Sequence, residues 1–271
     1  MADRDPVGTK QALPGPTGGD NPFDFDRRYK SPAYTEDHDA WRATLRRFVE
    51  AEIIPHIDDW EEAGTFPRDL YTKAAVIGLL GLGFPEEWGG TPVNDPYFGL
   101  VTAEEMARTG SGGINAGLLI HSIGLPPLLA GGSPDLIADI APKVLAGEKI
   151  IALGMTEPDG GSDLANLKTK AIRDGDDYLV SGSKTYITSG MRADYVSTAV
   201  RTGGPGYGGV SMLLIDMGLP GVDRTSLKKQ GWWCSDTATL YFDQVRVPAA
   251  NLLGRENAGF AIAMQNFNGE R

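Results

Sequence analysis

From residue 41 onward the apolar residues Trp41, Leu45, Phe48, Val49 and Ile53 recur at steps of three and four, the spacing that lays them along one face of a helix. Pro67 stands where a helix can start and Gly81 where one can stop, enclosing Leu70, Ala74, Ile77 and Leu80. Asp95-Pro96 opens a segment that runs through Met106 to Gly110, and Ser133-Pro134 opens another; each sets a capping side chain before a proline at the first helical position. Residues 32–147 are therefore expected to be all-helical. After Glu148 the period changes. Short β-rich runs at 150–153, 178–180 and 210–214 are separated by Gly and Asp. Asp174-Gly175 between two such runs is a hairpin signal, because glycine accepts the positive φ that a tight turn demands. Runs at 194–202, 237–242 and 245–248 extend the pattern to at least six strands, expected to pack as a small barrel or sandwich. From Gly259 a helical pattern resumes with Phe260, Ile262, Ala263 and Met264.

These patterns divide the chain into a tail (1–31), an all-α N-terminal domain (32–149), a β-barrel or β-sandwich middle domain (150–258) and the first turns of a further helical domain (259–271). The tail mixes Gly, Pro, Asp and Arg without an apolar stretch of signal-peptide type, and is expected to be mobile. At 271 residues the chain is long enough for two ordinary domains. With 41% hydrophobic and 23% charged residues it reads as globular, and it holds no apolar run of the roughly 20 residues a membrane span requires. A formal net charge of -11 argues against a nucleic-acid surface, which needs clustered cations. The single Cys234 makes no intrachain disulfide, and three scattered His give no zinc spacing, so a reducing, cytoplasmic compartment is the plain inference.

The most informative stretch is Met155-Thr156-Glu157-Pro158-Asp159-Gly160-Gly161-Ser162-Asp163, which leaves a strand, turns, and offers two hydroxyls with successive small-residue amides. Such a loop suits an anion or the polar edge of a ring. A strand-ending turn that uses glycine for backbone freedom explains the same composition equally well. His38, His56 and His121 read as capping, surface or packing residues, and Cys234 as a small buried side chain. Trp232 and Trp233 read as core or interface residues, and Lys228 and Lys229 as solvated charges.

Taken jointly, several separated motifs resemble the acyl-CoA dehydrogenase family, in the family's order. They are Met-Thr-Glu-Pro-x-x-Gly-Ser-Asp at residues 155–163, Gly-Ser-Lys-Thr-Tyr-Ile-Thr-Ser-Gly at 182–190, Cys-Ser-Asp-Thr at 234–237, Phe-Asp-Gln-Val-Arg-Val-Pro at 242–248 and Asn-Leu-Leu-Gly at 251–254. His121 and Ala146-Gly147-Glu148 in the helical half also stand where the family places them, so the resemblance covers roughly residues 35 to 271. It implies a helical N-terminal domain, a β middle domain and a C-terminal four-helix bundle that is not part of this chain, with FAD held between the last two.

Carried onto this sequence, the resemblance puts Leu153, Met155 and Thr156 against the flavin ring, with backbone amides and the Thr156 hydroxyl at its pyrimidine edge. Tyr186 would cover one ring face, at a position where many relatives carry Trp, and the Thr188 hydroxyl would approach N5. Ser162 would lie beside the pantetheine arm of the thioester, and Asp159 stands where many members have Gly. The implied reaction removes two hydrogens across the α and β carbons of an acyl-CoA, with one carboxylate base and one hydride acceptor. In the long-chain and isovaleryl branches that base is the Glu of a Glu-Arg pair, which matches Glu270-Arg271 at the end of this chain. An electron-transferring flavoprotein as acceptor and a homotetrameric assembly follow from the resemblance alone. Two other readings are an acyl-CoA oxidase-like flavoenzyme on the same fold, and an inactive fragment or binding module.

Overall fold

The computed structural model describes residues 32–270, with side chains described as far as Gln265; the tail expected over 1–31 lies outside them. The first half is helical: α1 (Glu36–Phe48), α2 (Ile57–Ala63), α3 (Asp69–Val76), α4 (Tyr97–Ala107), α5 (Gly112–Leu118), α6 (His121–Gly124), α7 (Pro126–Gly131) and α8 (Pro134–Leu145). The capping signals work as local chemistry. Ser133 Oγ accepts from the Leu136 amide (3.3 Å) ahead of Pro134, and Asp95 Oδ1 accepts from the Tyr97 amide (2.9 Å). Leu45, Phe48, Val49 and Ile53 are buried, as their spacing requires. α3 stops earlier than the Gly81 signal suggests. Gly78 takes a left-handed φ of 84°, its amide bonds to the Ala75 carbonyl (2.9 Å) and the Leu79 amide to the Ala74 carbonyl (3.0 Å). Those two bonds close the helix end and turn Leu79 and Leu80 into the core.

The second half is one connected sheet of β1 (Ile151–Gly154), β2 (Lys170–Asp174), β3 (Asp177–Thr188), β4 (Tyr195–Arg201), β5 (Val210–Asp216), β6 (Val222–Ser226), β7 (Thr237–Pro248) and β8 (Leu252–Leu253). The strand order is β6-β7-β3-β2-β4-β5-β8, with β1 added parallel to β4. Gly175, at φ 61°, makes the tight turn between β2 and β3, where Asp174 pairs with Asp177. The two short runs at 237–242 and 245–248 are a single strand. Their polar break is absorbed by a bulge at Gln244 (φ 50°), whose side-chain amide donates to Ser181 Oγ (2.6 Å).

Helices and sheet share a continuous hydrophobic core. Gly124 of α6 lies so close to β1 that a Cβ on it would come within 2.4 Å of the Ile151 carbonyl oxygen. At the same seam Ser197 Oγ donates to the Gly124 carbonyl (2.8 Å), and Asp194 accepts from the Ile150 amide (2.8 Å), Lys149 Nζ (3.1 Å) and the Arg68 guanidinium. Arg192 reaches across from the sheet, stacking 4.2 Å over Phe66 and donating to Asp236 Oδ1 (2.6 Å). A last helix, α9 (Gly259–Glu270), returns onto β5 and α7, burying Ala263 and setting Phe260 against the Tyr207 ring at 4.4 Å. Among the described residues no single helix is long and apolar enough to cross a membrane.

Candidate active site

The loop leaving β1 doubles back at once. The Glu157 amide donates to the Gly160 carbonyl (3.0 Å) and the Gly160 amide returns to the Glu157 carbonyl (3.1 Å), which puts Pro158 and Asp159 at the tip of a tight turn. Asp159 is exposed there and pairs with Lys168 (2.7 Å), so its carboxylate already has a cation beside it. Before the turn, Leu153 and Thr156 are half-buried and Met155 is buried; beyond it, Ser162 is exposed. The Thr185 amide donates to the Thr156 carbonyl (2.9 Å), tying this loop edge-on to β3. β3 carries an extra residue at that point, because the register with β7 slips between the pairs Lys184–Leu240 and Ile187–Ala238. The slip puts Tyr186 at φ 58° and turns its ring outward, 72% exposed. A non-glycine residue at positive φ is uncommon and, for a bulky side chain, costs backbone energy that the surrounding structure must offset. Thr188 follows, half-buried and paired with Thr237. The structure thus gathers Thr156, Tyr186 and Thr188 along two adjoining backbone segments, with Leu153 on the neighbouring strand. Glu270 belongs to α9, and its side chain lies outside the described residues.

One pair at this place carries no role in the reading of the motifs above. Lys184, wholly buried on β3, donates to Glu157 Oε1 (2.8 Å) and to the Met155 carbonyl (3.1 Å). Glu157 also accepts from the Lys168 (2.5 Å) and Thr169 (2.9 Å) amides. Burial pulls the Lys184 ammonium down to about 8 against the opposing pull of Glu157. Burial works to raise the Glu157 carboxyl, but the Lys184 charge and these hydrogen bonds prevail and hold it below the usual carboxylate range.

Comparison with known proteins settles what this architecture belongs to. Residues 35–148 match the acyl-CoA dehydrogenase N-terminal domain and residues 152–245 the acyl-CoA dehydrogenase middle domain. The chain belongs to the acyl-CoA dehydrogenase family. It is 39% identical over 244 residues to a mitochondrial long-chain specific acyl-CoA dehydrogenase of Sus scrofa, covering 88% of this chain and 56% of that protein. A solved structure of a probable acyl-CoA dehydrogenase from Mycobacterium abscessus is 51% identical with a TM-score of 0.85, covering 88% of this chain and 64% of that one. A glutaryl-CoA dehydrogenase from Mycobacterium smegmatis, solved in complex with FADH2, is 28% identical with a TM-score of 0.79, over 91% of this chain and 61% of that one. The chain spans little more than half the length of the first curated relatives it matches.

In this member of the acyl-CoA dehydrogenase family the Cys-Ser-Asp-Thr motif is a clamp between the helical and β parts. Glu61 of α2 accepts from the Cys234 amide (3.1 Å), from Cys234 Sγ (3.1 Å) and from the Ser111 hydroxyl. Burial pushes the Cys234 thiol up to about 11, which leaves it a buried donor. Trp232 and Trp233 are not core residues: they are 61% and 52% exposed, although Trp232 lies on Gly112 of α5, where an added Cβ would come 2.3 Å from its Nε1. Nor is Lys229 a free solvated charge, since its Nζ donates to the Trp232 carbonyl (2.7 Å) and the Ser235 carbonyl and so staples the loop closed. His38 serves α1 as a cap partner, its Nδ1 accepting from the Thr35 amide (3.0 Å). His56 stacks on Trp60 at 5.5 Å, and His121 is buried with Nε2 at 2.9 Å from the Leu80 carbonyl, its ring pushed by burial down to about 4 and hence neutral. A cleft of about 560 Å³ opens beside the clamp, lined by Glu61, Leu227, Trp233, Asp236 and Thr237 among others. Thr237 pairs with Thr188, so the cleft borders the end of the candidate site without including Leu153, Met155, Thr156, Tyr186 or Ser162.

Glu61, Glu157, Asp194 and Glu105, which is buried on α4 and accepts from the Arg42 and Arg46 guanidiniums, share one electrostatic pattern. Burial works to raise each carboxyl, and the donors around it prevail and hold it below its ordinary value. A carboxyl depressed in the folded state contributes stability that is present above its unfolded value and lost as the pH falls through the folded one. The expected result is a urea midpoint that holds between pH 7 and about 5 and falls steeply below about 4.5. A midpoint unchanged down to pH 3 would show that these carboxylates contribute nothing to folding.

Proposed function

We propose that this protein is an FAD-dependent acyl-CoA dehydrogenase that introduces a double bond between the α and β carbons of an acyl-CoA thioester. The observation that carries the proposal is the outward Tyr186 ring standing beside the Thr156 loop, tied there by the Thr185 amide. An exposed aromatic face next to half-buried hydroxyls suits a flat heteroaromatic ligand with a polar edge, as a flavin is. Bound there, FAD supplies a two-electron acceptor for the substrate's β hydrogen.

The chain's own residues take the remaining tasks. The Met155 and Thr156 amides with the Thr156 hydroxyl are the donors for the ring's polar edge, where they favour negative charge arriving on it. Leu153, Tyr186 and Thr188 fix the ring's position, Tyr186 presenting its face and Thr188 its hydroxyl. Ser162, exposed beyond the turn, meets the pantetheine arm of the thioester. Glu270 is the base that takes the α proton, a task that needs a carboxylate within reach of that carbon. An electron-transferring flavoprotein then reoxidises the protein, and the assembly is a homotetramer. A cytoplasmic location agrees with a single buried free thiol.

The test is an absorbance spectrum of purified protein reconstituted with FAD and titrated anaerobically with acyl-CoA thioesters of several chain lengths. The expected result is stoichiometric flavin whose absorbance bleaches on addition of thioester. Flavin that does not bleach would remove the dehydrogenase assignment, and failure to take up FAD would leave a binding module on the family's fold.

A further inference from the structure

The reaction proposed above has no use for the buried pair of Lys184 and Glu157, yet the pair stands at a particular point. Lys184 is two residues before Tyr186, immediately ahead of the register slip that turns that ring outward. Its ammonium does more than neutralise Glu157, because it also holds the Met155 carbonyl at 3.1 Å. Glu157 in turn ties down the return limb of the turn through the Lys168 and Thr169 amides. Next along β3, the Thr185 amide takes the Thr156 carbonyl. The charges acting on Lys184 are Glu157 in attraction and Arg201 in repulsion.

A side chain needed only to fill this space would be apolar, since well-packed hydrophobic replacements of buried ion pairs are often neutral or stabilising. What an apolar residue cannot do is hold a main-chain carbonyl in one place. We propose that Lys184 is a positioning residue of the flavin site. It locks the exit of β1 onto β3, so that the Met155–Thr156 backbone and the Tyr186–Thr188 segment meet a ligand as one rigid surface. The flavin part of this inference rests on the function proposed above; the locking of the loop does not.

The test uses the 271-residue chain and the double variant Lys184→Met with Glu157→Gln, which removes both charges together and leaves no unpaired ion. Three quantities are read: the thermal midpoint, hydrogen exchange at the Thr185, Lys168 and Thr169 amides, and the FAD dissociation constant by fluorescence titration. The expected result is a midpoint close to that of the parent, exchange at Thr185 faster by about tenfold or more, and FAD binding weaker by about tenfold. Unchanged exchange at Thr185 in a folded variant would overturn the proposal, as would unchanged FAD affinity despite faster exchange. If the parent chain takes up no FAD, the flavin reading fails on that result alone, and the exchange data still decide whether Lys184 locks the loop. Should the double variant not fold, Lys184→Leu with Glu157→Gln carries the same readouts, because it too removes both charges and leaves no side chain that can hold the Met155 carbonyl.

Discussion

A Glu270→Gln variant is expected to bind acyl-CoA and FAD as the parent does, yet to bleach its flavin on the order of 10²–10⁴ times more slowly when thioester is added. Glutamine matches glutamate in size and keeps a polar head, but it cannot accept the α proton, so the loss falls on the chemical step and not on binding. The measurement is anaerobic stopped-flow absorbance with saturating thioester, alongside a binding titration with an unreactive thioether analogue. Slow bleaching with intact binding identifies Glu270 as the base. Bleaching at the parent rate would assign the proton to another carboxylate and leave Glu270 without the role that its Glu-Arg pair suggests.

The second large effect is on stability. Replacing Glu157 with leucine strands the Lys184 ammonium in a site with no solvent exposure and frees the Lys168 and Thr169 amides from their acceptor. Breaking one side of a buried pair costs about 3–5 kcal/mol. For a chain of this size each kcal/mol moves the thermal midpoint by roughly 2–4 °C, so a fall on the order of 10 °C is expected. Adding Lys184→Met to the same background should recover much of that loss, because the cost comes from the uncompensated charge more than from the missing attraction. A single variant as stable as the parent would mean that water reaches Lys184 readily, contrary to its enclosure.

The difference between these two residues also marks how far the chain can be read before it folds. Glu270 is proposed from the family pattern alone, at a position where the structure describes only the backbone of α9. Glu157 and Lys184 sit inside two recognisable motifs, yet nothing in their spacing says that they meet. They are 27 residues apart, and the contact exists because β3 brings its buried face against the loop that leaves β1. Ser111 and Cys234, both in contact with Glu61, are farther apart still, with Glu61 and Cys234 separated by 173 residues. A lone cysteine in a Cys-Ser-Asp-Thr run reads as a small packed residue, and only the docking of α2 makes it a donor.

Where the physics is local, the order of residues was sufficient. Ser133 before Pro134, Asp95 before Pro96 and glycine after Asp174 each act within a turn of chain, so the starts of α8 and α4 and the β2–β3 hairpin were readable directly. The change from a three-and-four period to short β-rich runs likewise placed the helical half before the sheet, because burial of one face imposes its repeat on the residues. The tertiary structure decided which side each strand residue faces after a slipped register. One extra residue on β3 moves Tyr186 from the sheet interior to its surface, since side chains alternate with a period of two and a single insertion reverses them. It also decided that Trp232 and Trp233 stay exposed while Lys184 is enclosed, against the preference of each residue type, because pairing and packing of distant segments outweigh what one side chain prefers alone.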